Sequence, residues 1–249
     1  MTRWRWPFGK RSGVFVGHFG LGMAGKWAVP RISLGTFFLS VQWADLLWPI
    51  FLLAGIEHAR IAPGVTRASP LDFYDIPWSH SLIALTVWGL LFALVYWARK
   101  RDTAAAVILF FGVFSHWFLD VAAHRPEMPV FLHGPYVGLG LWNSIPATLA
   151  VEGCLYAAGI ALYARATRPV NRRGVWSLWL LVAMLTAMWI GAMLAPPPPG
   201  VRGVAVSGAI LGWLVVLPWG YWIDRNRRSR VPDVIPRGSE ASSREGAVR

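Results

Sequence analysis

The sequence predicts an all-α, polytopic membrane bundle of six to seven transmembrane helices, on three observations. Its apolar residues recur in blocks of about twenty, the length that crosses a hydrocarbon core of roughly 30 Å. Hydrophobic residues make up 55% of the chain and charged residues only 14%, against roughly a quarter charged in an ordinary soluble domain. Sixteen Trp are present, several near block ends: Trp43, Trp48, Trp78, Trp97, Trp142, Trp176 and Trp222. An amphipathic ring suits the headgroup region there.

The elements follow in order. Residues 1–12 are basic and aromatic, with no small-residue cleavage site after an apolar stretch, so no cleavable signal peptide is expected. The membrane domain covers 13–224. It opens on a weak apolar stretch at 14–29, which contains Gly17, Gly20, Gly22 and Gly25 and is followed by Pro30. Such glycines let helices approach closely in lipid, so this stretch is expected to cross as a short, tightly packed helix, re-entry being the alternative. Clear spans are expected at 33–55, 79–98, 103–122, 146–165, 175–195 and 203–223, with a Pro-rich loop at 196–199 between the last two. From 225 to 249 the chain is rich in Arg and Ser and is expected to be disordered.

The net charge of +12 raises nucleic acid as a partner, but the basic residues lie in short clusters between apolar blocks instead of on one face. That placement sets topology and points to membrane lipid. Arg99, Lys100 and Arg101, then Arg165, Arg168, Arg172 and Arg173, then Arg225, Arg227, Arg228 and Arg230 fall on one side under strict alternation. The opposite loops carry Arg60, Arg67, Arg125 and Arg202. An inner-membrane protein with a cytoplasmic C-terminus is therefore expected, with loops 56–78 and 123–145 external. Arg3, Arg5, Lys10 and Arg11 fit this rule only if 14–29 does not cross. A single cysteine, Cys154, excludes an internal disulfide framework and a Cys-rich metal site.

Ionisable side chains inside hydrocarbon are costly and usually face a bundle interior with a task. Here they are few. Asp45 lies mid-span, three residues after Gln42 and on nearly the same helix face. His80 opens the next span within Ser79-His80-Ser81. His116 and Asp120 stand four apart on one face of the following helix, and His124 lies one turn beyond. His18 sits near the start of the Gly-rich stretch. Under the expected topology these residues converge on the outer half of the membrane. Imidazole and carboxylate ligands without thiols suit zinc or a similar divalent ion. The plainer readings are an interfacial His80, a hydrogen-bonded His116–Asp120 pair, and an Asp45 paired to Gln42. Glu152 reads as a lone buried acid paired to another helix, and His58 and His133 as solvated loop residues.

At these residues the chain resembles bacterial inner-membrane proteins described as predicted membrane-bound metal-dependent hydrolases. The likeness rests on Gly17-His18, Asp45, Ser79-His80-Ser81 and Ser115-His116-Trp117-Phe118-Leu119-Asp120. A closer likeness, to uncharacterised bacterial membrane proteins labelled permeases, adds His124-Arg125-Pro126-Glu127-Met128-Pro129 and Gly138-Leu139-Gly140-Leu141-Trp142-Asn143. It spans about 13–165. The resemblance implies His18, Asp45, His80, His116 and Asp120 as metal ligands, with His124 a further ligand or a general acid. The chain departs from the group's double-acid segment, having one acid in Asp45-Leu46-Leu47-Trp48 and no following His. The expected activity is metal-assisted hydrolysis of a phospho- or acyl-ester in a lipid-like substrate, with Arg125 holding an anionic headgroup. The rival is a permease or proton/cation-coupled transporter using the same cluster; no internal repeat supports it. A non-catalytic membrane scaffold is a third reading.

Overall fold

The computed structural model describes residues 16–232; the basic segment 1–12 and most of the C-terminal tail lie outside the described residues. Ten α-helical pieces form the body: α1 Gly17–Ala28, α2 Leu34–Val41, α3 Trp43–Leu53, α4 Pro77–His80, α5 Leu82–Lys100, α6 Thr103–Ala123, α7 Ile145–Ala166, α8 Arg172–Leu194, α9 Val201–Ala209 and α10 Leu217–Arg225. Six short strands pair antiparallel in twos: β1 His58–Ile61 with β2 Leu71–Asp75, β3 Met128–Phe131 with β4 Gly134–Val137, and β5 Thr167–Pro169 with β6 Arg227–Ser229.

Among the described residues, five helices are long and apolar enough to cross a membrane, or six if the bent pair α2–α3 counts as one span. The outward faces suit lipid. On α5 only 17% of the most apolar window is buried, and Leu90 and Leu94 are 57% and 58% exposed. An uncovered apolar face of this extent belongs against acyl chains, not water. The protein is thus a multi-pass helical membrane protein.

Local chemistry explains the helix ends. Ser81, Asp102, Ser144 and Asn171 cap α5, α6, α7 and α8 by accepting from backbone N–H groups of the first turn. Arg101 closes α5 in the left-handed conformation at φ 53°. The expected spans reappear nearly in place, with three differences. The span 33–55 breaks at Gln42 and bends by 56°. The last span runs continuously over Val201–Arg225 but carries a π-helical turn at Ile210–Val216. Pro218 follows that turn, and a proline ring clashes with the carbonyl four residues back, which a π-bulge can absorb. Third, β6 lies in the basic tail expected to be disordered from 225, held by its pairing to β5.

The stretch 14–29 yields α1, whose twelve residues rise about 18 Å, short of a full crossing. It runs from the His/Asp cluster to the opposite end of the bundle and packs chiefly on α7. A Cβ on Gly159 would collide with the Gly20 carbonyl oxygen, so both positions need glycine for this backbone approach. Gly22 and Gly25 sit against Val41, Phe38 and Phe37 of α2. The glycines therefore join α1 to α7 and α2.

Candidate metal centre

Four features of the fold bring the polar side chains together. Gly112 lets α6 approach Ser40 of α2 closely, which sets His116 beside the end of that helix. There the last carbonyls lack intrahelical partners, and the Val41 carbonyl accepts from His116 Nδ1 at 2.8 Å. The break after Val41 turns α3 so that Asp45 faces the same point. The Gly20–Gly159 approach holds α1 where His18 Nε2 lies 3.0 Å from Asp120 Oδ1 and its ring stacks on His116 at 3.9 Å. Finally, the turn α4 presents His80.

That turn is fixed by Glu57, which is fully buried. Its Oε1 accepts from the backbone N–H groups of Trp78 and Ser79, both at 2.7 Å, and its Oε2 from Ser79 Oγ at 2.6 Å. A carboxylate only accepts, so the Ser79 hydroxyl proton points at Glu57. Ser79 Oγ must then accept from His80 Nδ1, 2.6 Å away. The relay leaves His80 Nε2 with its lone pair outward. His116 is fixed likewise, since a carbonyl cannot donate to its Nδ1. Ligating histidines are typically oriented in this manner, through the nitrogen that does not bind the metal.

Both freed nitrogens face carboxylates. His116 Nε2 is 3.2 Å from Asp120 Oδ2 and 3.8 Å from Asp45 Oδ1. His80 Nε2 is 3.6 Å from each of the same two oxygens. Four lone-pair atoms thus surround one point at 3.2–3.8 Å from one another across the His–Asp pairs. Ligands bound at about 2.1 Å in tetrahedral or octahedral array stand about 3.0–3.4 Å apart. Two overlapping groups, His18–His116–Asp120 and Asp45–His80–His116, are able to hold a metal ion. His18 lies on the far oxygen of Asp120, positioned to orient that carboxylate or to join the ligand set.

The cluster opens into a cavity of about 210 Å³. Asp45, although inside the bundle, has 45% of its side chain exposed, and this face lines the cavity. His124 lines it too, beneath Trp142 at 4.2 Å between ring centroids, and its Nδ1 donates to Glu127 Oε1 at 2.9 Å. Leu71 and Phe73 of β2 contribute to the lining at the same end.

The structure therefore brings together His18, Asp45, His80, His116 and Asp120, with His124 on the adjoining wall. Arg125 is placed otherwise than a headgroup role expects. Its Nε donates to Glu127 Oε2 at 2.8 Å and its guanidinium also pairs with Asp72, which ties the β1–β2 hairpin down. It does not line the cavity. Trp142 and Trp48, expected at the interface, are buried; Trp142 donates to Glu152 Oε1 at 3.0 Å, and Glu152 is fully buried. Gln42 is not shown partnering Asp45; it sits at the helix break and lines the cavity. Sequence reasoning missed Glu57, whose place beside His58 and Arg60 reads as a solvated loop. It also missed Glu127, which its spacing of three from His124 could have flagged.

Comparison of the chain with family models, with curated proteins and with solved structures finds no match.

Proposed function

We propose that the protein is an inner-membrane, divalent-metal-dependent hydrolase acting on a phospho- or acyl-ester of a lipid-like substrate. One observation carries this reading: four lone-pair atoms, two of them on imidazoles whose other nitrogens are tied to acceptors, are aimed at a single point. Lone pairs held against lone pairs repel, and a cation between them relieves that cost. Zinc suits the N/O donor set. A bound divalent ion would polarise the ester oxygen and lower the pKa of a water molecule at this site.

The chain's own residues supply the remainder. Asp45 is far more exposed than His80 or Asp120, which suits a position shared with substrate. His124, held by Glu127, is placed on the cavity wall to carry a proton. In the reaction water adds across the ester, the bond from carbon or phosphorus to the leaving oxygen breaks, and a proton passes to that oxygen.

The permease reading is favoured by one feature of the same cluster, because a protonated His116 between two carboxylates would also relieve the repulsion. The two readings separate in proteoliposomes. A hydrolase releases product from a vesicle lipid, stops with chelator and resumes with added zinc. Metal-independent proton or cation flux without hydrolysis contradicts it. The orientation, with the C-terminus cytoplasmic and the cluster near the outer face, rests on the basic clusters. Reporter fusions at Arg101 and Arg230 should both read cytoplasmic; opposite readings would overturn it.

A further inference from the structure

We propose that the lower part of the cavity is a subsite for one acyl chain of a membrane lipid. The inference rests on the hydrolase reading only for what happens to that lipid, not for its binding. The cavity has two unlike ends. At one end stand His80, Asp45, Asp120 and His124; the other is walled by Leu185, Leu211, Val216 and Leu217. Depth orders these ends along the membrane normal. His116 lies seven residues before the end of α6, about 10 Å below it, whereas Leu217 lies sixteen residues into the last span, about 24 Å below the same face. A lipid of that leaflet carries its ester groups above its chains, in the same order.

The last span fits closely against α3 above this end. Gly208 and Gly212 face Pro49 and Leu46 of α3, and a Cβ on Gly212 would come within 2.6 Å of Leu46 Cδ2. The π-helical turn Ile210–Val216 supplies Leu211 and Val216 to the same wall. Such turns recur at functional sites. Trp213 donates to the Leu46 carbonyl at 3.1 Å and holds the two walls at fixed spacing. Size selects the occupant. About 210 Å³ is below the roughly 300–1,000 Å³ of sites that take whole drug-sized ligands, so it admits a strip of chain and not a whole lipid or a helix. The apolar end of the cavity offers water few polar partners, and the solvent around the bundle is acyl chain.

The test uses full-length protein in vesicles containing phosphatidylethanolamine with a diazirine near the end of one chain. After photolysis, label is expected on the cavity-lining Leu185, Leu211, Val216 and Leu217, in addition to lipid-facing positions such as Leu90, Leu94 and Leu214. Leu211→Trp, which fills the deep end of the cavity, should lower labelling of Val216 and Leu217 about tenfold relative to Leu90, with metal content retained. Leu185→Trp gives the same reading should Leu211→Trp fail to fold. Label confined to lipid-facing residues, or unchanged by the filling substitution, overturns the subsite. Metal content of the same preparations separates the two claims. Specific labelling without metal removes the metal reading alone, and metal with only lipid-facing label removes the chain subsite alone.

Discussion

Two polar clusters lie at opposite ends of this bundle, and they are built on contrary rules. At the basic end Lys26 Nζ donates to Asp224 Oδ2 at 2.5 Å and to the Ile32 carbonyl at 2.8 Å. Asp224 also accepts from the Leu34 backbone at 2.8 Å and from the Tyr163 hydroxyl at 2.9 Å. Every donor there meets an acceptor, and the cluster joins α1, α2, α7 and α10. Beside it Arg227 donates to the Thr167 hydroxyl and the Gly174 carbonyl and so locks β6 to the end of α7. Burial lowers its pKa, which the neighbouring Asp224 partly offsets. At the other end acceptors meet acceptors: two carboxylates and two imidazole lone pairs converge, and His116 Nε2 has no hydrogen-bond partner. The first arrangement is what stability asks of buried charge. The second makes sense as a place prepared for a cation.

Breaking each end should therefore give opposite signatures. The largest effect on stability is expected from Asp224→Ala, which strands Lys26 among apolar neighbours and costs about 3–5 kcal/mol, measured by thermal unfolding in detergent. Metal content should not change. Replacing both partners, as Lys26→Met with Asp224→Leu, should recover most of the loss. If Asp224→Ala leaves stability untouched while metal disappears, the assignment of the two ends is wrong.

At the other end the substitution Asp120→Ala should remove metal binding almost wholly while costing less stability than Asp224→Ala. Glu57→Gln reaches the same site through Ser79 and His80. Weakening of the outer shell typically lowers metal affinity about 10–100-fold, and metal titration of that variant should fall in this range. An unchanged affinity would mean that the relay only caps α4. The smallest effect sharpens the contrast most. With chelator present, Asp45→Asn removes one of the facing charges and should raise stability by about 0.5–2 kcal/mol, whereas with metal present it should lower the unfolding temperature. A loss under both conditions would make the cluster a stabilising network like its counterpart.

The sequence displays the spans plainly, because hydrocarbon enforces apolar blocks of a set length and charges inside them stand out. Asp45, His116 and Asp120 were visible for that reason. His18 was visible through its glycine neighbours, though their partner helix was not, since Gly159 is an ordinary small residue until Gly20 is set against it. Glu57 was hidden because an acid in a loop gives no sign of burial, and only the fold shows that it closes over Ser79. Lys26 and Asp224 stand near span ends, where a charge is ordinary; their pairing across the chain is a tertiary fact. Arg125 was visible as a lone cation in a loop expected to be external, but not that Asp72 and Glu127 pair with its guanidinium.

The most direct test of the central claim is the metal content of full-length protein purified in detergent without chelator, measured beside His116→Ala. The expected result is about one divalent ion per wild-type chain and less than about a tenth of that in the variant, given that a missing first ligand costs more than the 10–100-fold of an outer partner. Folded, metal-free wild type whose unfolding temperature is the same with zinc and with chelator would contradict it.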